Sequence, residues 1–203
     1  METNAVINRI VESIKIEIEE AAKLPTYVDE GTLENVVRML ASSERIMTSG
    51  CGNSGIACKK FAHTLCCVGK NAAFMPSNEA LHGGMGGLKE NDIMVMLSRG
   101  GKTAELIPIA EICKRRKIKL ILFTENKESV LAKMSDLVVL FSVGRESDKY
   151  NYMATTSIIL PMILFDAVIA GIMELTGYKR EDFALIHPNG AVGEMLRKEA
   201  ENA

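Results

Sequence analysis

The sequence predicts a three-layer αβα sandwich built on a five-stranded parallel sheet, of flavodoxin- or Rossmann-like type. Three observations lead there. Short apolar runs recur at residues 45–49, 72–75, 93–97, 120–123 and 137–141, each of strand length and without polar alternation, as strands buried on both faces should read. Helical segments at 54–68, 103–116 and 129–133 separate these runs, and strand–helix–strand repetition at that spacing implies right-handed crossovers and parallel pairing. The first and third runs are each followed by a glycine-containing loop, placed where such a sheet turns from strand into helix.

The flanking elements follow from periodicity. Val6, Ile7, Ile10, Ile14 and Ile18 recur at spacings of three and four within residues 3–23, which is an amphipathic helix, and Pro25 is expected to stop it. A second helix is expected over 32–41. Beyond the fifth strand, a long helix over 151–176 should pack on the sheet, with short helices at 180–185 and 191–198 after it. One domain is therefore expected over 1–203, with N-terminal helices at 3–42, an α/β core at 43–142 and C-terminal helices at 150–198. A chain of 203 residues is long enough to bury such a core.

Composition excludes several classes of partner. A net charge of -2 offers no bulk attraction to nucleic acid, and the basic run Lys114-Arg115-Arg116-Lys117 reads as the exposed C-terminal end of a helix, where cations are favoured. Cys51, Cys58, Cys66, Cys67 and Cys113 form no CxxC pair and sit largely in apolar stretches, which predicts reduced thiols and a cytoplasmic location. The acidic N-terminal stretch has no apolar core, so no secretion signal is expected. Residues 158–173 are the most apolar, yet Asp166 and Pro161 interrupt them; a buried core helix is expected there, and no membrane partner.

Ligands of open parallel sheets bind beyond the carboxyl ends of the strands, so the chemistry should lie in the loops. Gly50-Cys51-Gly52-Asn53-Ser54-Gly55 fits G-x-G-x-x-G between a strand and a helix, where backbone amides and the helix N-terminus receive an anion. Dinucleotide binding is the competing reading, and Glu79 beyond the second strand is the acid it would need for a ribose. Against it, the third strand ends in Ser98-Arg99-Gly100-Gly101-Lys102-Thr103, a second anion loop expected to open a helix, and two such loops suit one phosphate gripped from both sides. Gly52, Asn53, Ser54, Ser98, Arg99, Lys102, Thr103 and Glu79 are accordingly the candidate ligand contacts. Glu105, expected in the first helical turn after the third strand, and Glu146, after the fifth, are carboxylates at the ligand edge that suit abstraction of a proton α to a carbonyl. His82 and His187 lie in glycine-rich loops and suit proton transfer at oxygens, whereas His63 on a helix face reads as packed or solvated. No metal is required, although His82 or His187 with nearby carboxylates would suit adventitious Zn²⁺.

Five segments, GCGNSG, NEALHGGMG, SRGGKTAEL, VGRES and FALIHPNGAVG, give the chain a resemblance to the arabinose-5-phosphate isomerases of the lipopolysaccharide and capsule pathways, which have the sugar isomerase (SIS) fold. The resemblance spans residues 41–196, and FALIHPNGAVG is its most specific part. It implies a cofactor-free aldose–ketose isomerase that interconverts D-ribulose 5-phosphate and D-arabinose 5-phosphate through an enediol. It implies catalytic roles for Glu105, Glu146, His82 and His187, and phosphate contacts at Ser54, Ser98 and Thr103. It further implies a homotetramer whose sites borrow residues from neighbouring subunits, in a short form without the C-terminal CBS pair many members carry. Two positions depart from the family pattern: Asn53 stands where a lysine is usual, and Gly100 where a serine is usual, with Arg99 and Lys102 beside it. These departures keep two alternatives open, a non-catalytic sugar-phosphate sensor and an isomerase of another phosphosugar.

Overall fold

A computed structural model describes residues 2–201. Helices α1 (Glu2–Tyr27) and α2 (Glu30–Ser42) precede β1 (Ile46–Ser49), α3 (Asn53–Cys67), β2 (Ala72–Phe74), α4 (Ser77–Leu81) and a 3-10 turn at Gly84–Gly87. Then follow β3 (Ile93–Leu97), α5 (Ile107–Arg116), β4 (Lys119–Thr124), α6 (Val130–Met134), β5 (Leu137–Leu140), α7 (Thr156–Thr176), α8 (Arg180–Ile186) and α9 (Gly190–Glu201). The strands form one parallel sheet in the order β2-β1-β3-β4-β5. Ile46 of β1 pairs with Ala72 on one side and Ile93 on the other.

Alternate residues of the central strands feed two separate cores, which makes the three layers. Ile46, Val95, Leu97, Ile121 and Phe123 meet Leu40, Phe61, Leu164 and Phe165 of α2, α3 and α7 on one face. Phe165 stacks on Phe61 at 4.3 Å and meets Phe123 edge-on at 4.8 Å. On the other face Met47, Met94, Met96, Leu120 and Leu122 meet Ile109 and Cys113 of α5 and Leu131 of α6. Helix α7 is long and apolar enough to cross a membrane by length and composition, but it lies against the sheet with Leu160, Leu164, Phe165, Val168 and Ile172 buried. The five thiols are free, and burial pushes those of Cys58 and Cys113 up to about 12.

Three expectations of helix bounds change, and the orientation of α1 is a further finding. Helix α1 continues through Pro25 to Tyr27, because a proline in the final turn removes one donor while Leu24 stays anchored in the core. The α1 stripe Val6, Ile7, Ile10, Ile14 and Ile18 faces outward, and Ile16, Glu20 and Leu24 face the core instead. Helix α5 begins at Ile107, with Pro108 in its first turn, and not at 103. Helix α7 begins at Thr156 and not at 151, because the Asp148 carboxylate captures the amides of Tyr150, Tyr152 and Met153 and holds that stretch as a loop.

Candidate active site

The sheet order reverses between β1 and β3: the chain leaves β1 through α3 toward one edge and leaves β3 through α5 toward the other. That divergence opens a crevice at the carboxyl ends of the two strands. Both glycine loops of the sequence border it.

The loop after β1 is folded too tightly for side chains at two of its glycines. A Cβ on Gly50 would lie 2.9 Å from the backbone of Ser54, and one on Gly55 would lie 2.6 Å from the Gly50 carbonyl oxygen. Gly52, with φ of 56°, is the N-cap of α3 and brings no side-chain cap. The first amides of a helix have no intrahelical acceptor, so this terminus presents donors at the crevice. Asn53 is exposed and Ser54 half-buried at its start.

The loop after β3 is held by side chains. Ser98 Oγ and Thr103 Oγ1 share a hydrogen bond of 2.8 Å, and Gly101, at φ 64°, packs where a Cβ would fall 2.0 Å from Ser129 Oγ. This pairing turns the chain before α5, so the expected helix N-terminus at 103 is corrected. Glu105 stands in a turn at 104–106, on an exposed bend. A Cβ on Gly100 would meet only the Lys102 side chain, at 3.9 Å, so packing does not force glycine there. Lys102 is exposed.

A cavity of about 430 Å³ lies at this edge. Gly50, Cys51 and Gly52 line one wall, Asn78 and Leu81 of α4 another, and Glu105 a third. His82 follows Leu81 as the C-cap of α4 and is exposed; Glu79 is exposed on the same helix. The structure therefore brings the first loop, Glu105 and the α4 end that precedes His82 to one cleft.

Glu146 is held differently. It is buried, at 2% exposure, and its Oε2 accepts from the Thr155 amide (3.0 Å), the Thr155 hydroxyl (3.1 Å) and the Ser157 amide (3.0 Å). It thus caps the N-terminus of α7 with a negative charge. Burial alone raises its pKa, but the hydrogen bonds from Ser157 and Thr155 outweigh that and hold the carboxyl below the usual carboxylate value. Its Oε1 receives the Arg99 guanidinium at 2.5 Å, and Arg99 Nε also binds Glu125. Glu125 in turn accepts from the Val143 amide at 2.5 Å. Arg99 is thus a clamp between two carboxylates. Glu125, absent from the expected site, was within reach of the rule that found Ser98, since it directly follows β4 at the ligand edge.

His187 sits apart. Its ring stacks on Phe183 at 4.8 Å and its Nδ1 lies 3.2 Å from the Asn189 carbonyl oxygen. Among the described residues, no hydrogen bond or ion pair joins it to Glu105, Glu146 or the glycine loops. Nor does any group of three or more His, Cys, Asp or Glu side chains among them form a metal site.

A doubly wound parallel α/β sheet with a cleft at its switch point, bordered by a helix N-terminus and the carboxylate-bearing Glu105, defines a ligand-binding α/β fold. Residues 39–171 match the model of the SIS domain, and the chain belongs to that family. It is 32% identical over 199 residues to an arabinose 5-phosphate isomerase KdsD of Francisella tularensis, covering 97% of this chain and 61% of that protein. It is 38% identical over 164 residues to the KdsD of Pseudomonas aeruginosa, covering 81% and 50%. The chain thus spans about half to three-fifths of the length of these relatives. Among solved structures, a Listeria monocytogenes protein described as a candidate sugar-phosphate isomerase superposes with a TM-score of 0.90 at 36% identity, covering 93% of this chain and all of that one. An Escherichia coli CFT073 protein solved in complex with A5P gives 0.85 at 27% identity, again over 93% of this chain.

Proposed function

We propose that this chain is an aldose–ketose isomerase that interconverts D-ribulose 5-phosphate and D-arabinose 5-phosphate through an enediol, with no cofactor. The observation that carries the proposal is that Glu105 lines the same cleft as Gly50, Cys51 and Gly52, which lead into the free amides of the α3 N-terminus. An anion seated on those amides leaves the sugar chain running toward the carboxylate. The amides at the start of α3, with the Ser54, Ser98 and Thr103 hydroxyls and Lys102, hold the phosphate dianion. Glu105 takes the proton from C1 of the ketose and returns it to C2 of the enediol, which gives the aldose. That transfer is redox-neutral, so no electron acceptor enters. His82 moves the protons at the two oxygens. Glu146 acts from beneath, as the fixed negative charge that orients Arg99 at the rim.

His187 joins the site from a neighbouring subunit of a homotetramer in the cytoplasm. Two surfaces support assembly. The α1 stripe leaves Val6, Ile7, Ile10 and Ile18 each at least half exposed, and α8 buries no residue while Leu185 is 83% exposed. Contiguous apolar surface of that kind marks a protein contact.

The test is turnover of D-ribulose 5-phosphate by the purified chain, paired with calorimetric binding. Product D-arabinose 5-phosphate supports the isomerase. Saturable binding without turnover of any pentose phosphate overturns it in favour of a sensor, the reading that Asn53 at the phosphate loop favours, because a cation able to stabilise an enediolate is missing there.

A further inference from the structure

Helix α1 lies outside the segment that the SIS family model matches, yet it holds the loop that carries Glu146. Glu20 Oε2 accepts from the Gly144 amide at 2.7 Å, and Arg9 donates to the Ser147 carbonyl oxygen. A third link, Arg145 to Glu19 at 3.6 Å, is exposed and weak. Glu20 is only 4% exposed, and Lys23 holds its other oxygen at 2.5 Å. Its carboxylate sits flush on the backbone: a Cβ on Gly144 would lie 2.9 Å from both of its oxygens.

The contact continues into the site. Val143, one residue before Gly144, donates its amide to Glu125; Glu125 holds Arg99; Arg99 holds Glu146, two residues past Gly144. Glu20 and Glu125 thus hold the backbone of the segment 143–147, Glu146 within it ties the segment to Arg99, and the guanidinium that joins Glu125 to Glu146 belongs to the loop of Ser98 and Thr103. We propose that Glu20 is a positioning residue of the isomerase, which through the Gly144 amide fixes residues 143–147 and so aims the Arg99–Glu146 clamp at the sugar-phosphate site. The assignment rests on the isomerase reading for its kinetic consequence only. A misplacement of about 1 Å at a catalytic constellation costs on the order of 100-fold in rate.

The experiment compares wild type with Glu20→Ala, Glu20→Gln, Gly144→Ala and the Glu20→Ala/Gly144→Ala double variant. Each is checked for folding by circular dichroism. Amide hydrogen exchange is followed at 143–147 and 98–103, with steady-state kinetics on D-ribulose 5-phosphate. The expected result is faster exchange in both segments in Glu20→Ala and Gly144→Ala, with kcat lower by about 10- to 100-fold and KM within about threefold. Glu20→Gln, which keeps an acceptor for the Gly144 amide, recovers most of kcat. The double variant is no worse than the poorer single one, because both remove one contact. Wild-type exchange at 98–103 in a folded Glu20→Ala protein overturns the proposal, as does additive loss in the double variant. If wild type itself shows no turnover, the isomerase reading falls, and the exchange data alone decide whether Glu20 positions the loop.

Discussion

Replacing Glu146 by glutamine keeps the shape of the side chain and removes its charge. Three donors converge on Oε2, from Thr155 N, Thr155 Oγ1 and Ser157 N, and Arg99 sits on Oε1. The glutamine carbonyl can keep the α7 donors, but its amide then points N–H at a guanidinium that has no acceptor for it. The loss therefore has two parts. Charge at the first turn of α7 is worth about 0.3–2 kcal/mol, toward the upper end when buried as here. Losing the charged hydrogen bond to Arg99 adds about 1–2 kcal/mol after allowance for the 45% exposure of Arg99, which screens it. A destabilisation of about 2–4 kcal/mol follows, which in a chain of this size lowers Tm by roughly 4–16 °C.

The sign with pH is fixed by the direction of the shift. The folded-state pKa of Glu146 lies below its unfolded value. Its contribution is therefore complete above the unfolded pKa and is lost as pH falls through the folded one. Urea unfolding of both proteins at neutral pH and at stepwise lower pH reads this directly. The gap should be full at neutral pH and close on acidification. Equal midpoints at neutral pH, or a gap that stays constant into the acid range, would refute the assignment of Glu146 as a charged cap.

Glu105→Gln should lower kcat by at least about 100-fold with an unchanged circular dichroism spectrum, and His187→Ala should do likewise if that ring enters a neighbour's site; wild-type turnover in both removes the mechanism. Gly101→Ala places a methyl 2.0 Å from Ser129 Oγ at a positive φ, so unfolding should become easier by about 2–4 kcal/mol, and an unchanged urea midpoint would contradict the loop geometry. Cys58 and Cys113, with thiols pushed up to about 12 by burial, should resist a thiol reagent in native protein at neutral pH, while exposed Cys66 reacts first; mass mapping of the labelled sites checks the order.

Much of the fold was legible because the central strands β1, β3 and β4 are buried on both faces and so appear as uninterrupted apolar runs, while the edge strands β2 and β5, only partly buried, are equally apolar in sequence. Ile93–Leu97 matches its expected bounds, β1, β2 and β5 are each one residue shorter at one end, and β4 is one residue longer at both ends. The starts of α5 and α7 were not legible. Each is set by side chains that capture backbone or one another across a loop, Ser98 with Thr103 and Asp148 with three amides, and periodicity carries no record of such contacts. The α1 pattern identified a helix but not which side meets the core, since a stripe facing a partner reads the same as one facing inward. Of the candidates after β1 and β3, Gly52 and Glu105 line one cleft, where the topology of the sheet brings the two strand ends side by side. Arg99 appeared as a phosphate ligand in the sequence and is found clamped between Glu125 and Glu146. Glu20 could not have been found: its partner Gly144 lies 124 residues further along the chain.

The most direct test of the isomerase claim is an NMR experiment in D₂O with D-ribulose 5-phosphate and the purified chain. An isomerase of this mechanism yields D-arabinose 5-phosphate carrying solvent deuterium at C2 with wild type and none with Glu105→Gln, because one carboxylate both takes and returns the proton and exchanges it with solvent in between. Turnover by Glu105→Gln at the wild-type rate, or no conversion by wild type at saturating substrate, would contradict the claim.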